Sequence, residues 1–176
     1  MPPSPLEQRA KAFAEFYHRN QRRKYTSEPY INHLRNVANS VKSVKWHTQE
    51  MVAVAWLHDV LEDTSASYEK VRSAFGQDVA DMVRMLTDTS RPEDGNRRVR
   101  KEIDRFHISV ATPEAKTVKI ADLIDNIRDI VKHDPKFAVV FLDEAIMLLD
   151  VLRDGDIYLY DELSKIIDWG LCEIRI

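Results

Sequence analysis

The chain has 176 residues with 31% charged and 44% hydrophobic positions, a globular balance that excludes disordered and fibrous architectures. A net charge of -3 argues against wholesale nucleic-acid binding, which carries a strongly basic domain. The single Cys172 rules out an internal disulfide, and no apolar run reaches the ~20 residues that cross a bilayer, so the chain reads as a cytoplasmic protein without a membrane partner. The start Met1-Pro2-Pro3-Ser4-Pro5 lacks the apolar core of a secretory signal. One domain spanning 1–176 is expected, since a single core of this size buries about 70% of the unfolded surface.

Only four glycines are present, too few for a β-rich chain that turns every ten residues or so, and the expectation is an all-α bundle of about eight helices. Ser4-Pro5-Leu6-Glu7 reads as a helix start with Ser4 as N-cap and Glu7 closing a capping box, and this helix is expected to run to about Arg22. From Pro29 to about Val44, Ile31, Leu34, Val37 and Val41 recur at spacings of three and four, and His33 lies among them. Thr48 caps a third helix expected to continue through Leu61, and Ser67 caps a fourth that stops at Gly76. Asp78 to about Leu86 is again helical in period. Thr87 to Arg97 has no apolar residue and holds Pro92 and Gly95, the composition of a mobile loop. Helical character resumes near Arg98. Thr112-Pro113-Glu114 opens a helix through about Val131, Asp134-Pro135 another to Leu152, and a last one covers about Ile157 to Trp169.

The third helix carries an anomaly. In Val54-Ala55-Trp56-Leu57-His58-Asp59-Val60-Leu61-Glu62-Asp63-Thr64 an imidazole and a carboxylate stand in an apolar run, where polar groups are costly unless a partner satisfies them. In a continuous helix His58 and Glu62 share a face, with Asp59 and Asp63 a second pair about 100° round. On the Thr112 helix Asp122 and Asn126 are likewise four apart, with Lys119 three before Asp122, and His33 offers a further imidazole. Two imidazoles and two carboxylates suit manganese, iron or zinc with open positions for water. Taken singly, each residue has a plainer explanation: a lone helical His is more often structural, and Asp122 with Asn126 is equally a solvated stripe.

The combination of His33, then His58-Asp59, then Asp122 follows the order of the HD-superfamily metal-dependent phosphohydrolases. The words His18-Arg19-Asn20-Gln21-Arg22-Arg23-Lys24, Glu28-Pro29-Tyr30-Ile31-Asn32-His33, Leu57-His58-Asp59-Val60-Leu61-Glu62-Asp63-Thr64, Phe75-Gly76 and Lys119-Ile120-Ala121-Asp122 with Asn126 resemble the hydrolase domain of RelA/SpoT proteins and small alarmone hydrolases such as the metazoan SpoT homologues. The resemblance spans roughly Phe13 to Leu152. It implies that His33, His58, Asp59 and Asp122 bind one ion, usually manganese, and that Glu62 and Asp63 manage the attacking water. It further implies removal of the 3′-diphosphate from guanosine tetra- or pentaphosphate (ppGpp or pppGpp), or the adenosine analogue, with release of pyrophosphate. Arg23 and Lys24 are then expected against the base and Asn126 against the nucleoside, although Arg22-Arg23-Lys24 also fits a solvated helix terminus. Arg97, Arg98, Arg100 and Lys101 either gather polyphosphate or form a plain charged surface with Glu102 and Asp104. Family members commonly place a glycine before the Glu-Pro-Tyr turn, where this chain has Thr26-Ser27, and Asp125 is an additional acid. The alternatives are an HD phosphohydrolase for another nucleotide or a dinucleotide cofactor, and a non-catalytic nucleotide sensor; intact Glu62 and Asp63 argue against the sensor.

Overall fold

A computed structural model describes residues 2–174. Among them the chain is all-helical, with ten α-helices, a 3-10 turn over Pro92–Asp94, and no extended pairing beyond an isolated antiparallel bridge between Arg22 and Pro29. No described helix is long and apolar enough to cross a membrane. The chain divides into two compact units, one up to Thr87 and one from Asp88.

The first unit holds α1 (Pro5–Tyr17), α2 (Ile31–Ser43), α3 (Gln49–Leu57), α4 (Val60–Asp63), α5 (Tyr68–Phe75) and α6 (Gln77–Leu86). Every residue of α3 from Met51 to Leu57 is buried, and the helix packs against α1, α2 and α6. This enclosure explains why its sequence is apolar all round rather than striped. Ser4, Thr48 and Ser67 cap their helices as expected, each side chain accepting from the backbone N–H three residues on. The Glu7 carboxylate, expected to complete a box with Ser4, instead accepts from Lys42 Nζ (2.8 Å) and Trp56 Nε1 (3.4 Å), tying α1 to α2 and α3. Gly76 takes φ 91°, a conformation that L side chains rarely adopt, and separates α5 from α6.

Two boundaries differ from expectation. The first helix stops at Tyr17 rather than near Arg22: His18 N–H makes the last helical bond, to Ala14 O, and the chain then doubles back. Arg23 N–H donates to Glu28 O (2.8 Å) and Tyr30 N–H to Gln21 O (3.1 Å), pairings that override the good helix propensity of the cationic run. The third helix stops at Leu57 rather than Leu61. His58 and Asp59 make the break, with Asp59 at φ -95°, ψ -1°, and the Asp63 N–H to Asp59 O bond (2.9 Å) belongs to a separate short turn.

The second unit holds α7 (Arg97–Ser109), α8 (Pro113–His133), α9 (Pro135–Leu152) and α10 (Ile157–Glu173). The central α8 packs against α9 and α10, while α7 packs against α9. Asp134 alone joins α8 to α9, ending one helix and capping the next through its carboxylate and Phe137 N–H. Gly155 lies where a Cβ would come within 2.7 Å of Ile120 Cδ1, so the α9–α10 turn approaches α8 too closely for a side chain. The loop read as mobile is tethered at its start: buried Asp104 accepts from Thr89 N–H (3.0 Å), Ser90 N–H (2.9 Å) and the Ser90 hydroxyl (2.9 Å).

Candidate metal and catalytic site

α2 places His33 on its buried face, and the end of α3 delivers His58 and Asp59 beside it. The two imidazoles are 1% and 3% exposed, and their ring centroids lie 5.3 Å apart. His58 Nε2 is 3.0 Å and His33 Nε2 3.7 Å from Asp59 Oδ2, and one ligand atom from each of the three residues lies within 4.8 Å of the others. Two N or O ligands each about 2.1 Å from one ion stand no more than about 4.2 Å apart, so both distances to Asp59 suit a shared ion.

The tautomer of His58 agrees with that use. Its Nδ1 lies 2.9 Å from the Ala55 carbonyl oxygen, which only accepts, so Nδ1 carries the proton and Nε2 presents its lone pair toward Asp59. The Tyr30 hydroxyl donates to Asp59 Oδ2 at 2.6 Å and fixes the carboxylate's orientation. Two nitrogen donors and a carboxylate, enclosed by apolar α3, form a donor set of the kind that holds a divalent metal ion.

Glu62 and Asp63 stand at the end of α4, both exposed. Asp63 Oδ2 accepts from Gln21 Nε2 at 2.8 Å, and Gln21 Oε1 lies 2.5 Å from His18 Nδ1. Tyr30, Gln21 and His18 lie within the motif words, but nothing in the sequence assigns them a role. The spacing of Tyr30 three residues before His33 is the one local signal that pointed toward the site.

Asp122 belongs to the second unit, where it is 5% exposed on α8. Lys119 Nζ lies 3.0 Å from its Oδ2, and Asn126 Nδ2 donates to its Oδ1 at 2.6 Å, so the Lys119–Asp122–Asn126 spacing does form one group. Arg23 is partly exposed in the turn after α1, and Lys24 lies over the Tyr25 ring at 4.7 Å. Two members of the Arg97 cluster, Arg97 and Lys101, are committed within their own unit. Arg97 makes a two-pronged pair with Glu144 (2.7 and 2.9 Å) over the Phe137 ring, and Lys101 pairs with Asp88 at 2.6 Å, which favours the charged-surface reading over phosphate gathering.

The model of the HD domain matches residues 10–148. A Drosophila melanogaster guanosine-3′,5′-bis(diphosphate) 3′-pyrophosphohydrolase, MESH1, is 41% identical over 125 residues, 70% of this chain and 68% of that protein. A guanosine-3′,5′-bis(diphosphate) 3′-pyrophosphohydrolase of Aquifex aeolicus is 33% identical over 121 residues, 69% of this chain and 17% of the longer relative. Among solved structures, a metazoan orthologue of SpoT described as hydrolysing ppGpp superposes with a TM-score of 0.83 at 32% identity, covering 96% of this chain and 97% of that one. The matched segment contains the His33–His58–Asp59 cluster, and the chain belongs to the HD-domain family, alongside the MESH1 proteins.

Proposed function

We propose that the chain is a metal-dependent hydrolase that removes the 3′-diphosphate of guanosine tetra- or pentaphosphate, or of the adenosine analogue, releasing pyrophosphate. The observation that carries this reading is the His33–His58–Asp59 donor set, its two imidazoles buried, followed within one turn by Glu62 and Asp63, in a chain 41% identical over 125 residues to a hydrolase of the guanosine compound.

His33, His58 and Asp59 would hold the ion, with Asp122 as the fourth ligand, and manganese is the ion proposed. Residue order and the buried carboxylate of Asp122 support that assignment. When bound, a divalent ion supplies Lewis acidity, lowering the pKa of water and neutralising phosphoryl charge. Glu62 and Asp63 receive the proton that the attacking water loses and hold that water in line. Asn126, which already donates to Asp122 Oδ1, keeps that carboxylate oriented and faces the nucleoside. Arg23 and Lys24 offer a cationic flank for the base. The partner is a nucleotide rather than nucleic acid or membrane, as the net charge of -3 supports, and the proposed setting is the cytoplasm, in keeping with the exposed, unbridged Cys172.

The test is incubation of the purified protein with manganese and a panel of guanosine and adenosine tetraphosphates, nucleoside monophosphates and dinucleotides, followed by product separation. Pyrophosphate released from a 3′-diphosphorylated nucleotide is the expected result. Turnover of another panel member alone would move the assignment to a different nucleotide phosphohydrolase, and turnover of none would favour a sensor.

A further inference from the structure

Asp63 sits on the last residue of a four-residue helical turn and is exposed, a placement that by itself leaves a short carboxylate free to rotate. It is nonetheless held. Gln21, distant in sequence, donates from Nε2 to Asp63 Oδ2 at 2.8 Å. A carboxylate only accepts, so the amide nitrogen of Gln21 must face Asp63 and the amide oxygen must face the other way. That oxygen meets His18 Nδ1 at 2.5 Å, and because it too only accepts, Nδ1 carries the proton.

His18 is built to supply this bond. It is 3% exposed at the end of α1, its backbone N–H anchored on Ala14 O at 2.9 Å, and its ring stacks on Tyr30 with centroids 5.2 Å apart and planes 25° from parallel. Its Nε2 is buried without a hydrogen-bond partner, the environment suited to the nitrogen that has no proton. The backbone locks the same residues together, with Gln21 N–H on His18 O at 2.9 Å and Tyr30 N–H on Gln21 O at 3.1 Å. Tyr30 in turn donates to Asp59 Oδ2 at 2.6 Å. One cluster of three side chains thereby orients two carboxylates four residues apart, one in the metal donor set and one at the water-handling position.

We propose that His18 and Gln21 are positioning residues for Asp63, an imidazole–amide relay anchored on the buried His18 that holds the Asp63 carboxylate in the rotamer the hydrolysis uses. The assignment rests on the alarmone-hydrolase reading for its kinetic consequence and on geometry alone for the relay itself. Outer groups that orient a functional side chain typically contribute 10- to 100-fold in activity, and a loss on that scale is expected here.

The kinetic test is Gln21→Met, which keeps the length of the side chain and removes both the donor and the acceptor. In the manganese-loaded variant kcat should fall about 10- to 100-fold while KM and bound metal stay as in the wild type. Combining Gln21→Met with Asp63→Asn should cost no more than Asp63→Asn alone, because both break one chain. Losses that multiply in the double variant, or full kcat in Gln21→Met beside an active wild type, overturn the relay. A second measurement does not depend on turnover: nitrogen NMR of His18 should show the Nδ1–H tautomer in the wild type and its loss or redistribution in Gln21→Met. An Nε2–H tautomer in the wild type overturns the proposal whatever the activity. A wild type inactive on the whole nucleotide panel but with the Nδ1–H signature retracts the substrate reading and leaves the relay standing.

Discussion

His58 shows how one side chain joins fold to chemistry. Its Nδ1–H is used on the Ala55 carbonyl at the end of α3, which leaves Nε2 facing Asp59 at 3.0 Å. Replacing it with Ala removes one of three clustered donors, and metal analysis should show the ion lost together with turnover. Glu62→Gln should behave differently, keeping the ion while turnover drops about 100-fold or more, the usual contribution of a positioned acid or base. Equal metal loss in the two variants would place Glu62 among the ligands instead. His58 and Asp59 were visible in sequence because polar groups in an apolar run are anomalous wherever they occur, and His33 through its order ahead of them. Tyr30 and Gln21 were not, since a tyrosine or glutamine near a helix end has many possible partners and only the folded chain selects one.

At the scale of elements, helix starts were the most legible feature. Ser4, Thr48, Ser67 and Thr112 all accept from the N–H three residues on, a bond within one turn that needs no distant residue. Thr48→Ala should therefore lower stability by about 1 kcal/mol in denaturant unfolding, with kcat retained, because Thr48 lies at the opposite end of α3 from His58. Composition predicts a mobile loop after α6, yet Asp104 tethers its start. Burial of Asp104 alone would raise its pKa, but the Ser90 N–H and hydroxyl, the Lys101 ammonium and the Thr89 N–H outweigh this and hold it below the usual value. A depressed carboxylate contributes stability that is present above its unfolded pKa, about 3.9, and is lost as pH falls through the folded value. Asp104→Asn should cost about 1–3 kcal/mol near neutral pH, and the difference from wild type in denaturation midpoint should shrink below about pH 4. A difference independent of pH would mean that charge is not what tethers the loop.

For the whole molecule, the expectation of one domain meets a chain that clusters into units up to Thr87 and from Asp88, while the HD-domain match runs from 10 to 148 through both. One cooperative HD domain is expected to give a single calorimetric transition, raised by manganese and lowered by a chelator. An ion present at 100 times its Kd adds about 2.7 kcal/mol if it binds only the folded state. Two resolved transitions, with only one responding to metal, would divide the chain in function as well as in contacts.

What the sequence by itself determined was local or periodic: an all-helical chain, the caps, the apolar α3, the Gly76 stop and the candidacy of His33, His58, Asp59 and Asp122. What only the tertiary structure decided was non-local. α1 ends at Tyr17 because residues up to Tyr30 pair back on Gln21 to Arg23, α3 breaks at His58, and Gln21 finds Asp63 across 42 positions of chain. Propensity and period act over a turn or two of helix, whereas such bonds depend on where the packed core brings distant segments together.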